Sequence, residues 1–286
     1  MAHAITKEAE ALLDKEFKVL DHGFVRLVDY MGSDSAIVQA ARVSYGEGTK
    51  KVSQDRGLIR YLLRNRHTSP FEMVEMKFHV KLPIFVARQW IRHRSASVNE
   101  YSGRYSVMKE EFYLPESDDI RYQSTVNKQG RSTEQVPDDI KRQLIDFLNQ
   151  SNKAAYGSYS DYIEKGLARE LARINLPLSL YTEWYWKIDL HNLFHFLRLR
   201  LDKHAQMEIR RYAEVMADMV RAVCPVAHEA FEDYILNSLS FSRIELNVMK
   251  SLVSQSEFDL EGLLEAGLSK REARGFLGKV KKIKEL

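Results

Sequence analysis

Residues 74–94, VEMKFHVKLPIFVARQWIRHR, carry the clearest structural signal in the sequence. Apolar residues at positions 74, 76, 78 and 80 alternate with charged residues and a histidine. This period of two predicts a strand with one buried face. Pro83 suits the first turn of a helix, which the apolar spacing extends from Ile84 to about His93. The stretch therefore predicts a strand that leads directly into a helix with arginines at its end.

Outside this stretch, strands are predicted from Gly23, at 111–114 and over the aromatic residues 181–188. The polar residues 94–107 predict a loop, and residues 115–137 predict a mobile surface excursion. Helices are predicted at 36–41, 58–65, from 138, at 167–174, from 190, at 204–223 and on to about 239. Because helices outnumber strands and no regular βαβ alternation is present, the predicted fold class is α+β.

Three segments are expected along the chain. Residues 1–22 are predicted to form an N-terminal helical arm, residues 23–236 the main domain and residues 237–286 a C-terminal helical extension. Residues 269–286 hold seven basic and two acidic side chains. That pattern is typical of a solvated face or a weak contact with an anion.

The composition excludes several classes of protein. With 286 residues, of which 44% are hydrophobic, the chain can bury a sizeable core and is not disordered. No apolar run approaches the ~20 residues of a transmembrane helix, and residues 1–17 lack the apolar core of a secretory signal. The single cysteine, Cys224, excludes a disulfide framework and a cysteine-cluster zinc site. A cytoplasmic protein that does not bind membranes is expected.

The charge balance makes a general nucleic-acid-binding protein unexpected. The chain has 43 basic and 40 acidic residues, and outside residues 269–286 the acidic residues outnumber the basic ones by two. Residues 88–104, RQWIRHRSASVNEYSGR, nevertheless concentrate four arginines with short polar side chains. Arginine binds phosphate or carboxylate through two parallel hydrogen bonds, so this local cluster predicts an anion site.

A second cluster, DLHNLFHFLRLRLDKH, covers residues 189–204. Asp189 is a good N-cap for the helix that follows. His191 and His195 are four residues apart, but a zinc hydrolase needs a third ligand and usually an intervening glutamate, so no metal site is expected. Farther upstream, Glu170 and Arg173 have the spacing of a surface ion pair, which is an alternative to a functional role for Arg173.

Residues 92–105 match RHRxxSxNExSxRY and thereby resemble the flavin-dependent thymidylate synthases. The resemblance includes an HxSPFE box at 67–72, an RExARxxLP box at 169–177 and an LRLRxDxHAQ run at 197–206. It implies reductive methylation of dUMP to dTMP, with 5,10-methylenetetrahydrofolate as carbon donor, FAD as hydride carrier and NADPH as reductant. It also implies a mixed sheet flanked by helices and a homotetramer with active sites between subunits.

The resemblance assigns roles to individual residues. Arg200 matches the arginine that favours ionisation at N3 of the uracil, and it is the predicted catalytic residue. The other predicted dUMP ligands are Gln89, Trp90, Ile91, Arg92, Glu100, Tyr101, Ser102, Gly103, Arg104 and Arg173. The predicted FAD contacts are His67, Ser69, Arg92, His93, Arg94, Asn99, Glu100, Asp189, Leu190, His191 and His195.

Asp189 and His195 depart from the family pattern, and Ser102 has two alternative roles. Many family members have asparagine at the positions of Asp189 and His195, so Asp189 is expected to serve mainly as the helix N-cap. Ser102 is interpreted as a hydrogen-bond donor to dUMP rather than a nucleophile, because activation of a serine requires a base within hydrogen-bonding distance.

Two other functions remain open on the residues alone. Arginines interleaved with Trp90, Tyr101 and Tyr105 fit a nucleic-acid-binding module, in which aromatic rings stack on bases. A non-catalytic flavin or nucleotide scaffold is the second alternative. Salt-sensitive RNA binding by a colourless protein favours the first, and bound flavin without dUMP-dependent turnover favours the second.

Overall fold

The computed structural model describes residues 5–43, 52–126 and 128–285. The chain forms two compact units, Met1–Leu236 and Asn237–Leu286. The strands of the first unit are β1 (Glu16–Val19), β2 (Gly23–Met31), β3 (Glu75–Pro83), β4 (Ser97–Glu100), β5 (Arg121–Gln123), β6 (Arg131–Gln135) and β7 (Tyr181–Asp189).

The first unit also contains helices. They are α1 (Lys7–Glu10), α2 (Asp34–Val43), α3 (Val52–Arg64), α4 (Ile84–Trp90), α5 (Asp138–Glu164), α6 (Arg169–Ala172), α7 (Leu190–Arg200), α8 (Met207–Val223) and α9 (Pro225–Phe231). A π-helical turn, Glu232–Leu236, follows α9. The α+β class is therefore confirmed.

The main sheet of the described residues has five strands in the order β1-β2-β3-β7-β4. Every neighbouring pair is antiparallel, so the expectation of a mixed sheet was wrong. The longest ladder joins β3 to β7 and runs from Glu75 opposite Asp189 to Pro83 opposite Tyr181. Since each of these strands leads directly into a helix, α4 and α7 begin at opposite ends of this ladder.

The alternation predicted for residues 74–80 is confirmed. Val74, Met76, Phe78 and Val80 are at most 1% exposed and belong to the main core. Across the ladder, Phe78 lies opposite Trp186 and Val80 opposite Trp184, so apolar residues meet on the same face of the sheet. The helices α4, α7 and α8 cover this face through buried side chains of the same core.

The N-terminal arm is not the predicted helix. Within residues 5–22, α1 contains only four residues, and Glu16–Val19 forms the edge strand β1 instead. This strand pairs with β2, and Phe17 lies opposite Val25. The sequence pattern missed β1 because only Val19 of its four residues is buried.

Two segments predicted to lack regular structure also contain strands. The expected loop at 94–107 contains β4, which pairs with β7 although all four of its residues are exposed. Conversely, the predicted strand at 111–114 makes one isolated bridge, between Phe112 and Leu180. The excursion at 115–137 contains the β5–β6 hairpin, flanked by the buried residues Ile120 and Val136.

The second unit contains α10 (Arg243–Ser254), α11 (Leu260–Glu265) and α12 (Lys270–Glu285). A capping box between Ser242 and Glu245 begins α10. Ala273 is buried, and the ring of Phe258 meets that of Phe276 edge-on at 5.4 Å. No helix in the described parts of the chain combines the length and the apolar character needed to cross a membrane.

Asp34 provides a test of this packing, because its carboxylate joins α2 to the start of α9. Its two oxygens accept hydrogen bonds from the backbone N–H groups of Val226 and Ala227, both at 2.9 Å. We expect Asp34→Ala to lower the free energy of unfolding in urea by about 1–3 kcal/mol, since two partly buried N–H groups lose their acceptor. Asp29→Ala is the matched control. Asp29 bonds only to Lys77 on the exposed surface, where a pair contributes about 0–1 kcal/mol. Equal losses for the two variants would contradict the capping role.

Candidate active site

The ends of α4 and α7 bring two predicted site residues into direct contact. The Nε–H of Arg200 donates a hydrogen bond to Nε2 of His93 at 3.1 Å. Both side chains are half-buried. Burial lowers the pKa of His93 to about 4, with a further contribution from the nearby Arg200 and His195. His93 is therefore neutral near pH 7, and because Nε2 accepts the bond, its proton lies on Nδ1.

The Arg200 guanidinium remains charged in this position. Burial lowers its pKa, but the ordinary value for arginine is so high that the group does not lose its proton. The His93 ring also lies edge-on to Phe196, with ring centroids 4.9 Å apart. The neutral His93, which packs against the Phe196 ring, thus holds the Arg200 cation in a fixed position.

Gln89 connects α4 to the start of α8. Its Nε2 donates a hydrogen bond to Oε1 of Gln206, which is the N-cap residue of α8. Gln206 was not among the predicted site residues, although it lies in the 197–206 run of the sequence. Its contact with a predicted dUMP ligand adds it to the site.

Several arginines around this contact have no counterion. Within the described residues, Arg92, Arg94 and Arg198 form no ion pair or hydrogen bond, and all three are exposed. Arg198 is another residue that the sequence analysis missed, although it lies in the last turn of α7. Unpaired guanidinium groups on neighbouring elements form a suitable surface for a phosphate or pyrophosphate.

The start of α7 has the predicted N-cap. The Asp189 carboxylate accepts hydrogen bonds from the backbone N and from Nδ2 of Asn192, at 2.9 and 2.7 Å. Leu190 is fully buried in the core, so only its backbone remains available to a flavin. His191 is half-buried and His195 is exposed on the same helix, where burial and the nearby Arg198 lower the pKa of His195.

Ser69, a predicted flavin contact, lies on a turn that packs against α7. Ser69 begins a 3₁₀ turn, Ser69–Met73, and Phe71 in this turn packs against Phe194 of α7 with ring centroids 6.4 Å apart. Both His67 and Ser69 are exposed. The turn that carries Ser69 is therefore a neighbour of α7, the helix that carries other predicted flavin contacts.

A cavity of about 310 Å³ contains the second group of predicted ligands. It includes Glu100, Tyr101, Gly103 and Arg173, and its lining is completed by Ile84, Met108, Glu170, Ile174, Leu176, Leu180 and Thr182. The hydroxyl of Thr182 donates to Glu100 at 2.8 Å. This cavity shares no lining residue or hydrogen bond with the His93–Arg200 contact, so one chain presents the predicted dUMP ligands in two groups.

The contacts of the turn beside the cavity bear on two alternatives left open by the sequence. One is a nucleophilic Ser102, and the other is an ion pair between Glu170 and Arg173. The Ser102 hydroxyl accepts from the backbone N of Arg104 at 3.3 Å, and in the described residues no histidine or carboxylate bonds to it. Within the described residues of one chain, no base is in place to activate a nucleophile. Glu170 pairs with Arg104 at 3.3 Å rather than with Arg173, so the alternative of a local pair is not formed and Arg173 keeps its charge available to the cavity.

Three further predicted ligands differ in exposure. The Trp90 side chain is fully buried and packs against Trp184, Trp186, Phe196 and Tyr212, so only its backbone remains available to a nucleotide. Ile91 is exposed directly after α4, and Asn99 is exposed on β4. In the described residues, no group of three or more His, Cys, Asp or Glu side chains could hold a metal ion.

The charges and the cavity define a protein that binds phosphorylated small molecules, and comparison with known proteins identifies its family. Residues 26–226 match the family model described as thymidylate synthase complementing protein. The flavin-dependent thymidylate synthase of Treponema denticola is 61% identical over 87% of this chain and 94% of its own. That of Wolbachia pipientis wMel is 58% identical over 94% and 93%.

A solved structure supports the same conclusion. The UMP/dUMP methylase PolB from Streptomyces cacaoi, bound with 5-Br dUMP, superposes with a TM-score of 0.70 at 35% identity. The match covers 78% of this chain and all of that one. The chain belongs to the family of flavin-dependent thymidylate synthases.

Gly103 tests whether the cavity is a binding site. A Cβ added at this position would lie 2.9 Å from Sδ of Met108 and 3.2 Å from Cδ of Arg173. We therefore expect Gly103→Ala to displace Arg173 and to raise the KM for dUMP by about threefold to tenfold without loss of fold. Gly157→Ala, which meets nothing within 4 Å, is the control. A native KM in the Gly103 variant would argue against nucleotide binding in this cavity.

Proposed function

We propose that the chain catalyses the reductive methylation of dUMP to dTMP, with 5,10-methylenetetrahydrofolate as carbon donor and tetrahydrofolate as by-product. The observation that carries the proposal is the half-buried Arg200 cation, held by a neutral His93. A fixed guanidinium stabilises negative charge that develops on the uracil ring, and it cannot donate its proton to that ring. The activity of the family agrees with this chemistry.

The proposed dUMP ligands on this chain form two groups, one around the cavity and one at the ends of α4 and α7. Arg173 keeps a free charge at the cavity, and Arg92 does so after α4. The cavity volume of about 310 Å³ is at the lower end of the ~300–1,000 Å³ typical of small-molecule sites. It suits part of a nucleotide whose remaining contacts come from elsewhere.

FAD is the proposed resident cofactor, and the residues beside α7 fit it. Arg92 and Arg94 have the unpaired charges that a pyrophosphate needs, and the exposed His67 and Ser69 and the half-buried His191 offer polar side chains. Asp189 serves as the N-cap of α7, since Asn192 donates hydrogen bonds to both of its oxygens. When bound, FAD supplies the hydride, and NADPH is the proposed reductant that renews it.

A homotetramer with active sites between subunits is proposed for the assembly. The two groups of dUMP ligands, which share no lining residue or hydrogen bond among the described residues, support a site completed by a neighbouring subunit. We also propose a cytoplasmic location, in agreement with the free, buried thiol of Cys224.

Arg200→Lys tests the catalytic assignment. Lysine keeps the charge but loses the planar group that bonds to His93, so we expect kcat to fall by about a hundredfold while flavin remains bound. The measurement is dTMP formation per bound flavin, with flavin content taken from the absorption spectrum. Arg142→Lys, on the exposed surface of α5, is the control. A well-folded Arg200 variant with near-native turnover would refute the role.

The second unit is proposed to be dispensable for chemistry. A chain that ends at Ser240 should bind FAD, stay oligomeric and make dTMP at a native rate per flavin, with lower stability at most. A truncated protein that assembles and holds flavin but does not turn over would place part of the active site in residues 241–286.

A further inference from the structure

A buried carboxylate lies at the start of α8 and outside every residue assigned above. Glu208, the second residue of this helix, is 1% exposed. Its Oε1 accepts hydrogen bonds from the Tyr113 hydroxyl at 3.0 Å and from Nη2 of Arg131. Its Oε2 has no hydrogen-bond partner among the described residues. A buried charge with so few partners depends strongly on its counterion.

The counterion comes from the β5–β6 hairpin. Arg131 is the first residue of β6, and its side chain crosses to α8. Other polar side chains of the hairpin bond within it: Arg121 to the carbonyl oxygens of Asp118 and Thr133, and Gln123 to those of Lys128 and Gly130. Arg131 thus connects a surface hairpin to the first turn of a core helix.

That first turn is adjacent to the proposed dUMP site. Gln206, two residues before Glu208, accepts the hydrogen bond from Gln89. Gln89 lies in the last turn of α4, four residues before His93, which accepts the bond from Arg200. A displacement of the first turn of α8 toward water would therefore pull Gln206 away from Gln89.

We propose that Arg131 is a positioning residue for the dUMP site. By neutralising Glu208 it keeps the start of α8 in place, so that Gln206 holds Gln89 in its substrate-binding position. This inference rests on the proposed function, because it takes Gln89 as a dUMP ligand. It gives a hairpin outside all of the recognised sequence boxes a role in substrate affinity.

The experiment measures KM for dUMP, kcat, flavin content and melting temperature in Arg131→Met and its partners. Arg131→Met should raise the KM about tenfold, with kcat and flavin content near native. Arg131→Lys keeps the counterion and should stay within about twofold of the native KM. In the double variant Arg131→Met/Glu208→Gln, a neutral amide needs no counterion, so the KM should return to within about threefold of native. Arg142→Met is the matched control on an exposed surface.

Each outcome bears on the proposal. A native KM for Arg131→Met, measured well below its melting temperature, would reduce Arg131 to a structural role and overturn it. A double variant with no recovery would also overturn it. If Arg131→Met does not fold, the same comparison is made between the Arg131→Lys and double variants, which must both bind dUMP normally. Gln89→Leu distinguishes failure of the site assignment from failure of the positioning role. A native KM in this variant refutes Gln89 as a dUMP ligand. A raised KM, together with a native KM in Arg131→Met, refutes only the positioning role of Arg131.

Discussion

The nine-residue ladder between β3 and β7 is the constraint on which the rest of the structure depends. It places the start of α4 at one end of the sheet and the start of α7 at the other. Both helices pack on the same buried face, where Trp90 of α4 contacts Phe196 of α7. His93, three residues after the end of α4, bonds there to Arg200, the last residue of α7. A register shift of one residue would turn the tryptophans of β7 to the opposite face and remove the surface on which the two helices meet.

Burial then sets the charge states that the chemistry needs. His93 accepts a hydrogen bond from Arg200 only while its Nε2 is unprotonated, and a pKa of about 4 maintains that state across the physiological pH range. Arg200 keeps its charge in the same partly buried environment. The neutral His93 beside the permanently charged Arg200 keeps a positive charge in a fixed position. This charge does not exchange protons with a substrate. The exposed Arg92, Arg94 and Arg198 nearby differ in environment, because their charges remain accessible to phosphate groups.

Local patterns were sufficient to predict part of this arrangement. The alternation at 74–80 gave β3, the carboxylate of Asp189 gave the cap of α7, and the arginine-rich boxes gave most of the candidate ligands. The strands β1 and β4 were missed because nearly all of their residues are exposed, so the apolar pattern carries no signal. Trp90 was assigned as a dUMP contact and Leu190 as an FAD contact, although their side chains fill the core. A sequence motif does not distinguish side-chain contacts from backbone contacts. The bonds of Gln206 and Arg131 join residues 117 and 77 positions apart, and only the tertiary structure brings such pairs together.

The central claim is that the two groups of ligands on one chain belong to active sites completed by a neighbouring subunit. Complementation between two variants tests it most directly, with Arg173→Ala disabling the cavity group and Arg200→Ala disabling the helix-end group. Each variant alone should be inactive. Random assembly of equal amounts of both should restore about a quarter of the native dTMP formation, because a quarter of the sites then receive both intact groups. A mixed assembly no more active than either variant alone would contradict the account and would place both groups in a site within one chain.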